Sequence, residues 1–302
     1  MNSSHHIPLT GVMVLVLLSI LWGGNMVSIK VSNQGVPPIL AAAVRSVVAT
    51  FLLSLYARTQ TQRLFFPWKD LGHGIAIGFL FGAEFLLLYW GTEFTNASRA
   101  IIFLYTHPLW VALGAHFLLS YEQLNRIKSI GLCLAFLGLV SVFASRSATL
   151  GPLHFVGDLM EIGAGFLWAA TTLYIKRFIW DRPITHFQTL FAQLLFSIPV
   201  LAVGSFLLES NKAVNLTPLV VSAIVYQTVV VAFFSYLLWF WMIHRFQVSR
   251  LAAFTFLAPL FGVVMSGLLL KEALTFQLWI GFALVSAGIY LVNRPGPEYA
   301  DG

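Results

Sequence analysis

Charge is what this 302-residue chain has least of. Asp, Glu, Lys and Arg make up 9% of it, against about 25% in a soluble domain, which excludes a surface bathed in water on all sides. There is one cysteine, Cys133, so an intrachain disulfide and a cysteine-based metal site are both excluded. No glycine-rich phosphate loop occurs, which argues against direct ATP hydrolysis. An HExxH pair, a GxSxG elbow and a pair of intramembrane aspartates are also missing. The chain is therefore expected not to be an enzyme, and to use neither cofactor nor metal.

What is present is apolar: 59% of the residues are hydrophobic and the mean hydropathy is +0.85. Runs of about 20 apolar residues predict ten membrane helices, near 9–30, 37–58, 69–92, 98–119, 126–145, 156–179, 186–208, 217–244, 249–269 and 275–293. The fold class expected is an all-α integral membrane protein with short connections. Eleven of the seventeen Lys and Arg residues fall in loops on the side of the N-terminus. Five fall on the opposite side, and Arg45 stays within the membrane. The positive-inside rule then puts both termini in the cytoplasm. The net charge of +6 reflects topology and implies membrane lipid, not nucleic acid, as its partner. The first span lacks a basic leader and is duplicated inside the chain, so it is expected to be retained.

The duplication is extensive. Leu21-Trp22, Lys30 and Pro37 return as Leu167-Trp168, Lys176 and Pro183, 146 residues on. Ser98-Arg99 and Pro108 return as Ser249-Arg250 and Pro259, 151 residues on. Glu122, Gly131 and Gly138 return as Glu272, Gly281 and Gly288. Each copy holds five spans, an odd number, so the second copy is inserted upside down. Two inverted five-helix repeats, 9–145 and 156–294, with a cytoplasmic tail 295–302, are expected. Such repeats build many secondary transporters, with substrate held between the halves near the midplane.

Depth picks out candidate site residues. At 1.5 Å per residue, Arg45 and Glu84 each lie about 12 Å, His107 about 14 Å and Gln227 about 15 Å from the outer ends of their helices. Ionisable groups at that level pair with one another or line a watered cavity. Arg45 with Glu84 is either a structural ion pair or a pair that touches substrate or gates its passage. Glu84 and His107 are candidates for carrying a coupling proton. Pro108 and Pro259 each break a helix at equivalent points and free carbonyls, near Phe103 and Thr255, toward a shared cavity. His107 precedes the first proline and Ala258 the second, so the histidine is either a hydrogen-bonded core residue or a group that serves something beyond the fold, binding substrate or carrying a proton. Trp22-Gly23-Gly24-Asn25 places an indole, a close-approach point and an amide at mid-depth. Trp168 is its repeat mate, and the two indoles form either opposing walls of a pocket or ordinary packing. Stripes at Gly74/Gly78/Gly82 and the glycine pairs of helices 5 and 10 are expected to be helix contacts.

Taken together, Leu21-Trp22-Gly23-Gly24-Asn25, Pro37-Pro38 with Arg45, Tyr89 with Thr95-Asn96-Ala97-Ser98, Pro108, and Tyr121-Glu122 carry a resemblance. Pro259, Lys271-Glu272 and the helix 10 glycines echo it. The chain resembles the drug/metabolite transporter superfamily, in particular its EamA-type ten-helix exporters, over roughly residues 10–294. The resemblance implies a central cavity from helices 1–4 and 6–9 with helices 5 and 10 outside. It also implies export of amino acids, related metabolites or drugs across a bacterial inner membrane. Arg45, Glu84 and His107 make a zwitterionic cargo a better fit than a purely apolar one. The alternatives are import by the same fold and, further off, a channel or a lipid-moving protein.

Overall fold

In a bilayer a spanning segment must satisfy its backbone internally, so long apolar runs become helices whatever their side-chain propensities. The structure is a computed structural model that describes residues 7–95, 97–144, 152–270 and 274–294. Arg146, Lys271, Glu272, Asn96 and the tail 295–302 lie outside these. No β-strand occurs among the described residues. The membrane helices are α1 (Leu9–Ser32), α2 (Pro38–Thr59), α3 (Trp68–Gly91), α4 (Ser98–Leu118), α5 (Arg126–Phe143), α6 (His154–Phe178), α7 (His186–Glu209), α8 (Pro218–Ile243), α9 (Val248–Leu269) and α10 (Phe276–Asn293).

Among the described residues, nine of these are long and apolar enough to cross a membrane. The other, α6, has 25 residues but carries Asp158, Glu161, Lys176 and Arg177. It reaches the same length inside the bundle, where Arg99 of α4 pairs with Asp158 and the Ile243 carbonyl at the end of α8 accepts from Lys176. Local chemistry sets the boundaries. Pro38 and Pro218 occupy first-turn positions where no backbone donor is lost. Asn125 caps α5 through the Lys128 amide. A capping box of Thr185 and Gln188 starts α7.

The two halves interlock. In the first, α1 packs along α9; in the second, α6 packs along α4, the equivalent pair. The contact of α2 with α7 and that of α5 with α10 join equivalent helices across the pseudo-twofold axis. The stripe on α3 works as expected: Gly74, Gly78 and Gly82 face Ala192, Phe196 and Val200 of α7. So do the outer glycines. Gly131 lies against Gly288 and Gly138 against Gly281, an antiparallel register. That register shows directly that one half runs opposite to the other.

A Cβ on Gly288 would stand 2.4 Å from the Gly131 carbonyl oxygen, so the α5–α10 seam has no room for a side chain. Gly288→Val is expected to destabilise the purified protein by about 1–3 kcal/mol, read as a lowered melting temperature in detergent. An unchanged melting temperature would show that the seam is not close-packed.

Candidate functional site

Proline sets the site up by interrupting α4 and α9. The first stops at Leu104 and restarts at His107, just ahead of Pro108; the second stops at Thr255 and restarts at Leu257, ahead of Pro259. The freed carbonyls are taken up locally. The Thr106 hydroxyl donates to the Phe103 carbonyl at 2.7 Å, and the Ser19 hydroxyl, shared with the Leu15 carbonyl of its own helix at 2.8 Å, lies 3.2 Å from that of Phe254. Small residues admit the displaced turns. A Cβ on Gly165 would meet the Leu104 oxygen at 2.5 Å, and one on Gly23 the Gly262 nitrogen at 2.6 Å.

Between the halves lies a cavity of about 470 Å³, the size of a site for one small molecule. Its wall is aromatic, with Trp22, Trp168, Trp239, Tyr105 and Tyr236 all exposed to it. Trp22 stands edge-on to Trp168, with centroids 6.1 Å apart, and to Trp239, 5.2 Å apart. Its indole N–H is anchored on the Ser235 hydroxyl at 2.9 Å. Exposed Lys30, Asn33 and Thr92 mark the mouth, at the end of the bundle away from the two chain termini. Toward the terminal end its lining is buried Ile175 and Ile243.

Polar contacts seal that terminal end. Glu122 accepts from the amides of Val248 and Ser249, both at 2.9 Å, and from the Ser249 hydroxyl at 2.7 Å. Arg182 pairs with Asp70, and Gln188 donates to the Phe65 carbonyl at 2.7 Å. Lys176, wholly buried, donates to the carbonyls of Ile243 at 3.0 Å and Phe246 at 2.9 Å.

Of the candidates drawn from sequence, Trp22, Asn25, Glu84, Trp168 and Pro259 line the cavity. Four others sit behind its wall. Arg45, 1% exposed, lies with its guanidinium carbon 4.4 Å from the centre of the Phe85 ring. No ion pair closes between Arg45 and Glu84; none of the three guanidinium nitrogens has a hydrogen-bond partner among the described residues. Equal depth did not mean equal facing. His107 is fully buried and stacks on Trp168, centroids 3.8 Å apart and planes 14° apart. Pro108 is buried beside it. Gln227 lies in a π-helical stretch of α8, Tyr226–Ser235, and staples it to α1 by donating to the Ser28 carbonyl at 3.2 Å and the Ser32 hydroxyl at 2.9 Å.

Sequence reasoning passed over Gln193, whose isolated amide in the apolar run of α7 was a visible signal. It lines the cavity, and its Oε1, like Asn25 Oδ1 and Glu84 Oε2, is buried with no donor among the described residues. Glu161 was also passed over; it is fully buried near Gly91, away from the cavity. Asp158, one turn earlier, pairs with Arg99 and accepts from Thr95 at 2.7 Å.

Two interleaved, oppositely inserted halves around an aromatic cavity closed at one end define a membrane transporter. Comparison with known proteins names the group: the chain belongs to the EamA-like transporter family, which it matches over residues 9–144 and 155–294. It is similar to the uncharacterized transporter YoaV of Bacillus subtilis, with 23% identity over 92% of this chain and 94% of that one. It is 27% identical to a probable amino-acid metabolite efflux pump of Salmonella typhimurium, over 91% of this chain and 92% of the pump. The protein of that name in Escherichia coli is 26% identical, over 93% of each. A solved crystal structure superposes with a TM-score of 0.76 at 18% identity, covering 92% of this chain and 94% of that one, which shows the shared fold.

The stack on His107 holds the Trp168 plane against the cavity. His107→Phe keeps a flat ring there and is expected to leave the affinity for cargo within about twofold. His107→Ala is expected to weaken it several-fold, by the roughly 0.5–1.5 kcal/mol that a ring pair contributes. Quenching of tryptophan fluorescence on titration with cargo distinguishes the two variants; equal affinities would remove His107 from the site.

Proposed function

We propose that this transporter is a secondary exporter of small amino-acid-related metabolites that carry an ammonium group and an apolar or aromatic side chain. It works by alternating access across a bacterial inner membrane, with both termini in the cytoplasm. The observation that carries this reading is the set of uncommitted acceptors on the aromatic wall, Asn25 Oδ1, Glu84 Oε2 and Gln193 Oε1. An ammonium offers three donors. Glu84 supplies the opposing charge, and Trp22, Trp168 and Tyr236 supply faces for the apolar part and for the cation. Arg45 acts from behind Phe85, where its positive charge favours a carboxylate on the same cargo. A zwitterion is then better held than a bare acid.

Export is supported by the names of the Salmonella and Escherichia relatives, and the volume suits one amino-acid-sized molecule. Energy comes from a gradient. Glu84 holds either a proton or the cargo ammonium, so cargo leaving is coupled to a proton entering. His107, off the wall, positions Trp168 and takes no part in that exchange.

Counterflow in proteoliposomes with phenylalanine, phenethylamine and phenylpropanoate tests the assignment. The amine and the zwitterion are expected to compete with each other, and the acid is not. Glu84→Gln is expected to cut counterflow of the amine about tenfold, the loss of one hydrogen bond to a charged group, and to abolish its stimulation by a pH gradient. Unchanged counterflow in Glu84→Gln, or equal competition by the acid, refutes this recognition mode.

A further inference from the structure

One cation at the level of the cavity has no hydrogen-bonding task. Arg45, on α2, is 1% exposed, and its Nε, Nη1 and Nη2 are all buried without an acceptor among the described residues. A guanidinium presents its N–H groups in a planar fork that matches the two oxygens of a carboxylate. Ionisable groups inside a membrane usually pair with one another or face a watered cavity. Here the guanidinium does neither, and its carbon lies 4.4 Å from the centre of the Phe85 ring. That ring belongs to the cavity lining, whereas Arg45 does not. One aromatic side chain therefore stands between a complete set of free donors and the space for cargo.

The ring is placed to move. Its neighbours along α3 are Phe81 and Tyr89, with centroids 4.5 Å and 5.7 Å away, and both also line the cavity. Phe85 thus has open space beside it into which a change of rotamer can carry the ring. Unlike Trp22, whose indole N–H is fixed on the Ser235 hydroxyl at 2.9 Å, it has no polar atom to anchor it. What holds it over Arg45 is a cation–π contact, and the paired charge-assisted hydrogen bonds of a carboxylate are stronger. Glu84, the acceptor assigned to the ammonium, is the preceding residue and lines the same cavity.

We propose that Phe85 is a gate over a carboxylate subsite formed by Arg45. An α-amino acid seated by its ammonium on Glu84 brings its carboxylate against the ring. The ring turns aside, and the guanidinium fork takes the two oxygens. This rests on the recognition mode proposed above and names the residue that sets its selectivity. A bare acid lacks the ammonium that would hold it at the gate, so it meets an aromatic face and is turned away.

The test is equilibrium binding to the purified full chain at neutral pH, read by quenching of tryptophan fluorescence. The probes are phenylpropanoate and its uncharged amide, which differ in charge and hardly in size. The parent is expected to bind the acid no better than the amide. Phe85→Ala uncovers the guanidinium and is expected to tighten the acid about tenfold relative to the amide, the effect of gaining hydrogen bonds to a charged group. Adding Arg45→Met to Phe85→Ala is expected to remove that preference. A folded Phe85→Ala that gains equally for acid and amide has only gained room, and overturns the proposal. So does a preference for the acid that survives the loss of Arg45. The comparison of acid with amide decides alone if the double variant fails to fold. Failure of the ammonium reading shows separately, as phenethylamine binding that Glu84→Gln leaves unchanged, while the acid-to-amide ratio still reports on Arg45.

Discussion

A carbonyl that leaves its helix inside hydrocarbon must find another donor or lie against protein, and this chain has two helices that stop and restart in mid-membrane. Much of the remaining architecture answers that constraint. Thr106 and Ser19 supply hydroxyls to the broken turns. Gly165 and Gly23 let neighbouring helices press against the exposed backbone. Irregular backbone is tolerated at this depth only where protein or a cavity surrounds it, so the breaks in α4 and α9 have to face inward. The cavity is where they face.

The interlocking of the halves has a second consequence. Contacts fall into two kinds: those between equivalent helices, α2 with α7 and α5 with α10, and those that come in symmetry-related copies, α1 with α9 and α6 with α4. Contacts of the first kind lie on the pseudo-twofold axis and look the same whichever half adopts which shape. Contacts of the second kind can differ between their two copies. Alternating access needs this division, a fixed axis and two exchangeable flanks. The glycine seam of α5 and α10 belongs to the fixed part, which accounts for the poverty of polar residues there.

The fold was largely legible because its evidence is redundant. Spans of about 20 apolar residues, prolines at helix starts and a motif set occurring twice all point one way, and the helices end within a few residues of where those signals put them. The site was legible by level and not by direction. Rise per residue placed Arg45, Glu84, His107 and Gln227 at similar depths, but depth says nothing about which side of a helix a residue occupies. Glu84 turns to the cavity while Arg45 turns behind Phe85. Gln227 is consumed by Ser28 and Ser32, which no spacing rule could announce. Lys176 looked like one more topology-setting charge near a helix end. Only the three-dimensional arrangement shows the carbonyls of α8 arching over it.

Departures from the repeat locate function better than the repeat itself. Trp22 and Trp168 are mates, and on the α3–α8 offset the residue that anchors Trp22, Ser235, corresponds to Glu84. One half thus carries a hydroxyl that holds an indole in place, and the other carries a carboxylate at the matching point, facing the cavity with an oxygen unpaired. A hydroxyl would have served the fold in both places, at far lower desolvation cost than an acid in the middle of a membrane. The same logic applies to His107, whose mate is Ala258. Alanine suffices beside Pro259, so the imidazole stacked on Trp168 answers a demand of the cavity and not of the helix break. Both departures bear on the cavity: Glu84 lines it directly, and His107 backs Trp168, which lines it.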